Sequence, residues 1–236
     1  MKCFTVTKAD SKRFRVLELI KRHGWDPTFC CDSNQQRNSL IRMGVSRKNI
    51  VLSDVPRDAG IQGVSLARDF VCQHVMPRSE WCLWIDDNLG SITGLQPRYS
   101  QEAVDVRNGH VWRKRFDHVL LRKEMEQYVE QTIDRAERLG TIFAAFANEQ
   151  NFFFRGRKWQ EYGYCRTQLA LYKNDGSSWM PFPTMMLEDL YKSVDAVCRY
   201  GCIVINRHVK ANKPMFEDGG IGSFVKRLPW LQDNCR

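Results

Sequence analysis

The chain has 236 residues, 43% of them hydrophobic, which suits one domain with a substantial core and excludes a disordered or low-complexity protein. No apolar run reaches the about 18 residues of a membrane span, and the charged start MKCFTVTKADSKRF does not read as a signal peptide, so the expectation is a cytoplasmic chain with no membrane partner. The net charge of +9 favours polyanions as partners, whether nucleic acid, nucleotide phosphates or an acidic surface.

In chain order, Lys2 to Thr7 is a short β-rich run, and Ser11 to His23 carries Phe14, Val16, Leu17, Leu19 and Ile20 near helical spacing, closed by Gly24. Thr28 to Cys31 is a second strand. Ser33 is positioned to cap a helix that runs through Met43 and stops at Gly44. Asn49 to Leu52 gives a third strand, Val64 to Val75 a helix, and Trp81 to Ile85 a fourth strand. Residues 98–116 are polar with little periodicity, and Asp117 to Leu139 reads as one long amphipathic helix. Thr141 to Phe146 is a strong strand, and Tyr164 to Tyr172 another. Gly176 to Pro183 is a turn-rich loop. Leu187 to Arg199 is a helix, Gly201 to Ile205 a last strand, and Lys210 to Arg236 a tail with few helix signals. Strands alternating with helices predict a mostly parallel, Rossmann-like sheet with crossover helices, a single α/β domain over 1–236. The nine cysteines show no four-ligand zinc spacing and read as reduced thiols.

Ligands of parallel α/β sheets bind beyond the carboxyl ends of the strands, and polar residues accumulate there. The first strand ends in Thr7-Lys8-Ala9-Asp10, the second in Asp32-Ser33-Asn34, the third in Ser53-Asp54 and the fourth in Asp86-Asp87-Asn88. Two carboxylates and a carboxamide after an apolar strand either form a solvated turn or hold a hard cation, since Mg²⁺ and Mn²⁺ take oxygen ligands. Arg68 lies near the start of a helix, where phosphate is favoured. Glu188-Asp189 opens another helix; carboxylates suit that position electrostatically, and one of them is a candidate general base. His208, just past the last predicted strand, is a candidate metal ligand. Two segments, RNGHVWRKRF with Arg113 and Arg115, and NEQNFFFRGRKWQEYGY with Arg155, Arg157, Lys158 and Trp159, combine cations with aromatics as a DNA-contacting surface would. The alternative is that the aromatics are core and the cations solvated.

The succession TKADS, GVSLARDFV, WCLWIDDN, LEDLYKS and NRH resembles nucleotide-sugar glycosyltransferases of the GT-A fold, over roughly residues 3–225. The IDDN form and the short chain are most similar to the TET-associated glycosyltransferases, the group of the base J glucosyltransferase and of phage enzymes acting on 5-hydroxymethylpyrimidines in DNA. The resemblance implies a nucleotide-sugar-binding half over 1–96 and an acceptor half over 97–236. It implies Thr7, Lys8 and Asp32 near uridine, Arg68 at the diphosphate or sugar, and Asp86 at the ribose or sugar. Asp87, Asn88 and His208 would hold Mn²⁺ or Mg²⁺, Asp189 would be the base, and Glu188 would contact the sugar. The implied reaction is transfer from a UDP-sugar to 5-hydroxymethylcytosine, ahead of 5-hydroxymethyluracil, in DNA; the single candidate base points to inversion, and a monomer is the expectation. The familiar metal motif is Asp-x-Asp; Asn88 replaces its last carboxylate and brings no charge. A protein or glycan acceptor, or a non-catalytic DNA-binding module on the same fold, are the alternatives.

Overall fold

The structure, a computed structural model, describes residues 1–7, 9, 15–53, 63–95, 104–107, 110–113, 117–147, 158–177, 179 and 188–212, with 63, 95, 104–107, 110–113, 117 and 188 described by their backbone alone. The first half follows the predicted alternation. Strand β1 (Lys2–Val6) leads to helix α1 (Val16–His23), β2 (Thr28–Cys31), α2 (Asn34–Arg42), β3 (Ile50–Leu52), α3 (Gly63–His74) and β4 (Trp81–Ile85). Helix α1 ends at Gly24, whose φ of 62° is the left-handed conformation that glycine adopts without strain. Ser33 caps α2, its hydroxyl accepting the Gln36 N–H at 3.2 Å, as the sequence predicts.

The second half departs more from expectation. Strand β5 (Ser91–Leu95) follows β4, then the hairpin β6 (Val104–Arg107) and β7 (His110–Arg113), which forms its own two-stranded sheet inside the stretch read as irregular. The long helix does not start at Asp117. Residues Asp117–Val119 form β8, antiparallel to β5, and α4 (Arg122–Arg138) begins only after Glu124 reaches back to accept the Leu121 N–H at 2.8 Å. Next come β9 (Phe143–Ala147), β10 (Trp159–Gln160), β11 (Leu169–Lys173), α5 (Glu188–Tyr200) and β12 (Val204–Asn212). β12 runs seven residues past the predicted end at Ile205, so His208 lies within a strand instead of after one.

The main sheet has ten strands in the order β3-β2-β1-β4-β11-β9-β12-β5-β8, with β10 beside β12. β3, β2, β1 and β4 are mutually parallel; β11 is antiparallel to both β4 and β9, and β12 is parallel to β9. The fold is therefore mixed α/β with a mostly parallel centre. Side chains alternate between two cores. Cys3, Phe29, Leu83 and Ile85 pack with residues of α1, α2 and α4 on one face. Phe4, Cys30, Cys82 and Trp84 pack with residues of α3 and α5 on the other. β4 is buried on both faces, which explains its unbroken apolar run. Among the described residues no helix is long and apolar enough to cross a membrane.

Candidate active site

The strand order marks one crevice as the candidate site. The chain winds from β1 to β2 to β3 on one side and then returns to place β4 on the other side of β1. The crevice between the carboxyl ends of β1 and β4 is thus the topological switch point, the place where open α/β sheets bind ligands. Thr7 and the Asp86-Asp87-Asn88 turn meet there. The Thr7 hydroxyl donates to Asp87 Oδ2 at 2.6 Å and accepts the Ala9 N–H at 2.9 Å. Ala9 has a φ of 53°, a conformation that non-glycine residues seldom adopt and that concentrates at functional loops. The Asp87 carbonyl accepts the N–H groups of Arg15 and Val16 at 3.1 and 3.2 Å, tying the turn to the start of α1.

Asp86 faces the other way. The alternation that puts Cys82 and Trp84 on the α3/α5 face carries on past the strand, and Asp86 Oδ1 accepts from Arg68 Nη2 of α3 at 2.8 Å. Its own N–H donates to the Gln168 carbonyl at 2.8 Å, just before β11. Arg68 is 6% exposed, with its guanidinium carbon 5.8 Å from the Trp84 ring centroid. Its Nη1 donates to the Thr167 hydroxyl, which in turn donates to Asp189 Oδ1. The Thr167 N–H reaches the same oxygen at 2.9 Å. Tyr164 donates its hydroxyl to Asp189 Oδ2 at 3.3 Å, and burial together with the Asp189 charge pushes this phenol up to about 12. The Asp189 carbonyl takes the Ser193 hydroxyl at 2.7 Å, as a helical turn allows. Four residues from α3, the β4 turn, the segment before β11 and the start of α5 therefore form one line: Asp86, Arg68, Thr167, Asp189.

That line joins three residues the sequence singled out separately, Asp86, Arg68 and Asp189, and adds one that it did not, Thr167; Tyr164, also not singled out, contacts Asp189 from the side. CRTQ at positions 165–168 carries no motif. Its proximity to the site depends on β11 running antiparallel to β4, so that the start of β11 meets the end of β4.

The remaining candidates lie on other elements. Asp32 directly precedes the α2 cap and donates its N–H to Gln36 Oε1 at 3.0 Å. A cleft of about 290 Å³ beside α2 is lined by Ala9, Ser33, Gln35, Gln36, Ser39 and Arg42, and Asp32 is not among its lining residues. His208 sits where β12 slips register against β9, between the pairs Asn206–Phe146 and Lys210–Ala147, and its N–H donates to Asn206 Oδ1 at 3.1 Å. β12 is three strands from β4 in the sheet order, roughly 14 Å at the usual strand spacing. Among the described residues no three His, Cys, Asp or Glu side chains gather as a metal site. Asn88 Oδ1 nevertheless is buried with no hydrogen-bond partner among the described residues. A buried carboxamide oxygen left unpaired, on the residue that follows Asp87 in the chain, is the type of ligand a hard cation takes.

Lys158 donates to Gln131 Oε1 at 2.5 Å and lies 5.0 and 5.7 Å from the ring centroids of Trp159 and Tyr128, and burial lowers its pKa. Trp159 packs against the α4-side core. Within the described residues this pair joins β10 to α4. Lys8, Arg115, Arg155 and Arg157 lie outside the described residues, and so do the side chains of Arg113 and Glu188. The described cysteines are free thiols, and burial pushes Cys3 and Cys82 to about 12, which makes them inert.

Neither a protein-family model nor a curated protein sequence matches this chain. Among solved structures, the crystal structure of A197 from STIV is similar over 91% of this chain and 86% of that one, at 10% identity and a TM-score of 0.39, a likeness too slight to carry an argument.

Proposed function

We propose that the chain is a GT-A type glycosyltransferase that moves a sugar from a UDP-sugar to the hydroxymethyl oxygen of a 5-hydroxymethylpyrimidine in DNA, 5-hydroxymethylcytosine ahead of 5-hydroxymethyluracil. The observation that carries the reading is the link from Asp86 at the switch point to Asp189 at the start of α5, through Arg68 and Thr167. A donor-side carboxylate and a candidate base, far apart in sequence, stand at one edge of the sheet. The order of motifs, similar to that of GT-A enzymes, and the positive charge of the chain support it further.

In this reading the nucleotide lies over the carboxyl ends of β1 and β4, with Thr7 and Asp86 beside it. Asp189 takes the proton of the acceptor hydroxyl while that oxygen bonds to the anomeric carbon. The bond from that carbon to the diphosphate oxygen breaks with inversion, and UDP leaves. Asp87 and Asn88 would hold a divalent cation, which when bound offsets the charge gathering on the departing diphosphate. The pyrimidine must be unstacked to reach the site.

The test is incubation with a panel of UDP-sugars and DNA containing either hydroxymethylpyrimidine, followed by mass spectrometry of the nucleosides. A sugar on one of the two bases is the expected result, and none on either rejects the DNA reading. Asp189→Asn is expected to lower kcat by about a thousandfold, the usual contribution of a general base, while the far-UV circular dichroism of the folded chain stays that of wild type.

A further inference from the structure

Resting on that reading, we propose that Thr167 is a positioning residue that aims the Asp189 carboxylate at the acceptor and couples it to Asp86 on the donor side. Thr167 is 1% exposed, so it acts through its neighbours and not on a substrate. A threonine hydroxyl has one proton and can accept as well. Arg68 Nη1 donates into this hydroxyl, so its single proton is directed onto Asp189 Oδ1. The Thr167 N–H, at 2.9 Å, binds the same oxygen. Two donors on Oδ1 fix the plane of the carboxylate and turn Oδ2 towards Tyr164, whose ring is half exposed. Oδ2 is the oxygen that meets the acceptor proton.

The arrangement is also directional. Arg68 spends one terminal nitrogen on Asp86 and the other on Thr167, so a donor that recruits Asp86 alters the group that polarises the Thr167 hydroxyl. In a buried setting such chains strengthen one another. Donor occupancy and the aim of the base are thereby linked through a single side chain.

Thr167→Val keeps the shape and the backbone N–H and deletes the hydroxyl. It is expected to lower kcat about ten- to hundredfold, the effect of losing one charge-assisted hydrogen bond, with the donor KM within about twofold of wild type. Thr167→Ser keeps the hydroxyl and is expected to retain most of kcat. A denaturation cycle over Thr167→Val, Asp189→Asn and the double variant is expected to be non-additive, the second substitution adding little once the first is made. An unchanged kcat in the valine variant, or a serine variant as impaired as the valine one, overturns the proposal. If the valine variant does not fold, Thr167→Ala takes its place in both measurements. A wild-type chain that transfers no sugar to any acceptor overturns the function proposed above; the coupling is then decided by the stability cycle alone, where additivity rejects it.

Discussion

Asp86 and Asp87 are neighbours in sequence but not partners. Each is held on a different face of the sheet, Asp86 by Arg68 of α3 and Asp87 by the Thr7 hydroxyl at the end of β1. Like charges side by side would repel at a low-dielectric site, and the strand alternation relieves this by aiming them apart. A second residue with an unusual setting is His23, fully buried at the end of α1, stacked on Trp25 at 4.6 Å, with neither ring nitrogen hydrogen-bonded among the described residues. Burial, helped by the Arg22 charge, lowers its pKa from 6.5 to about 4. Below pH 6.5 the unfolded chain binds a proton at this position that the folded chain refuses. Stability is therefore complete above about 6.5 and declines as the pH falls towards about 4, by about 3 kcal/mol in total. Urea unfolding of wild type and His23→Phe across this range is expected to show the variant losing much less; parallel profiles would contradict the assignment.

At the scale of elements, local signals and long-range pairing compete, and the site sits where pairing prevails. Ser33 starts α2 as its sequence predicts because the cap acts within one turn. Asp117–Val119 has helix-compatible residues yet forms β8, because β5 offers backbone partners and the Leu120 N–H then bonds the Ile92 carbonyl at 3.0 Å. This pairing explains Gly94. A Cβ there would stand 2.3 Å from Leu120 Cδ2 and 3.2 Å from His118 Cε1. Gly94→Val is expected to destabilise by about 1–3 kcal/mol through overpacking. Adding Leu120→Ala should relieve the clash, so the double variant should be more stable than the two single losses predict when summed. Equal sums from chemical denaturation would show that the two side chains do not meet.

Over the whole molecule, the sheet order determines the chemistry available. Placing β4 beside β1 opens the switch-point crevice, and placing β11 antiparallel beside β4 delivers Thr167 to the same edge. α5, packed on the same face as α3, then brings Asp189 within reach. Trp179 seals this layer, 5.4 Å from Trp84 and 5.1 Å from Tyr172 between ring centroids, with Lys192 Nζ 4.8 Å from its own ring. The net charge of +9 belongs to this scale as well. With DNA as acceptor, counterion release predicts that affinity falls steeply with salt, about a hundredfold between 50 and 200 mM for four phosphate contacts. Fluorescence anisotropy with a labelled duplex measures this, and a salt-independent affinity would mean that the excess charge does not engage phosphate.

Much of the first half was legible in the sequence because its elements are specified locally. Apolar periodicity set α1 and α3, Ser33 set the start of α2, Gly24 set the end of α1, and a continuous apolar run marked β4 as a strand. The polar strand ends were legible too, and Thr7, Asp86 and Asp87 meet or lie at the carboxyl ends of β1 and β4. β5, β8, the hairpin β6–β7 and the length of β12 were not legible, since short strands are stabilised by partners distant in sequence. The sequence by itself determined the class of the fold and the residue types at the strand ends, because propensity, capping and patterning act over a few residues. Only the tertiary structure decided that Asp86 and Asp189 belong to one network and that Arg68 and Thr167 join them. Those relations depend on which strands pair and in which direction, and that is settled by packing across the whole chain.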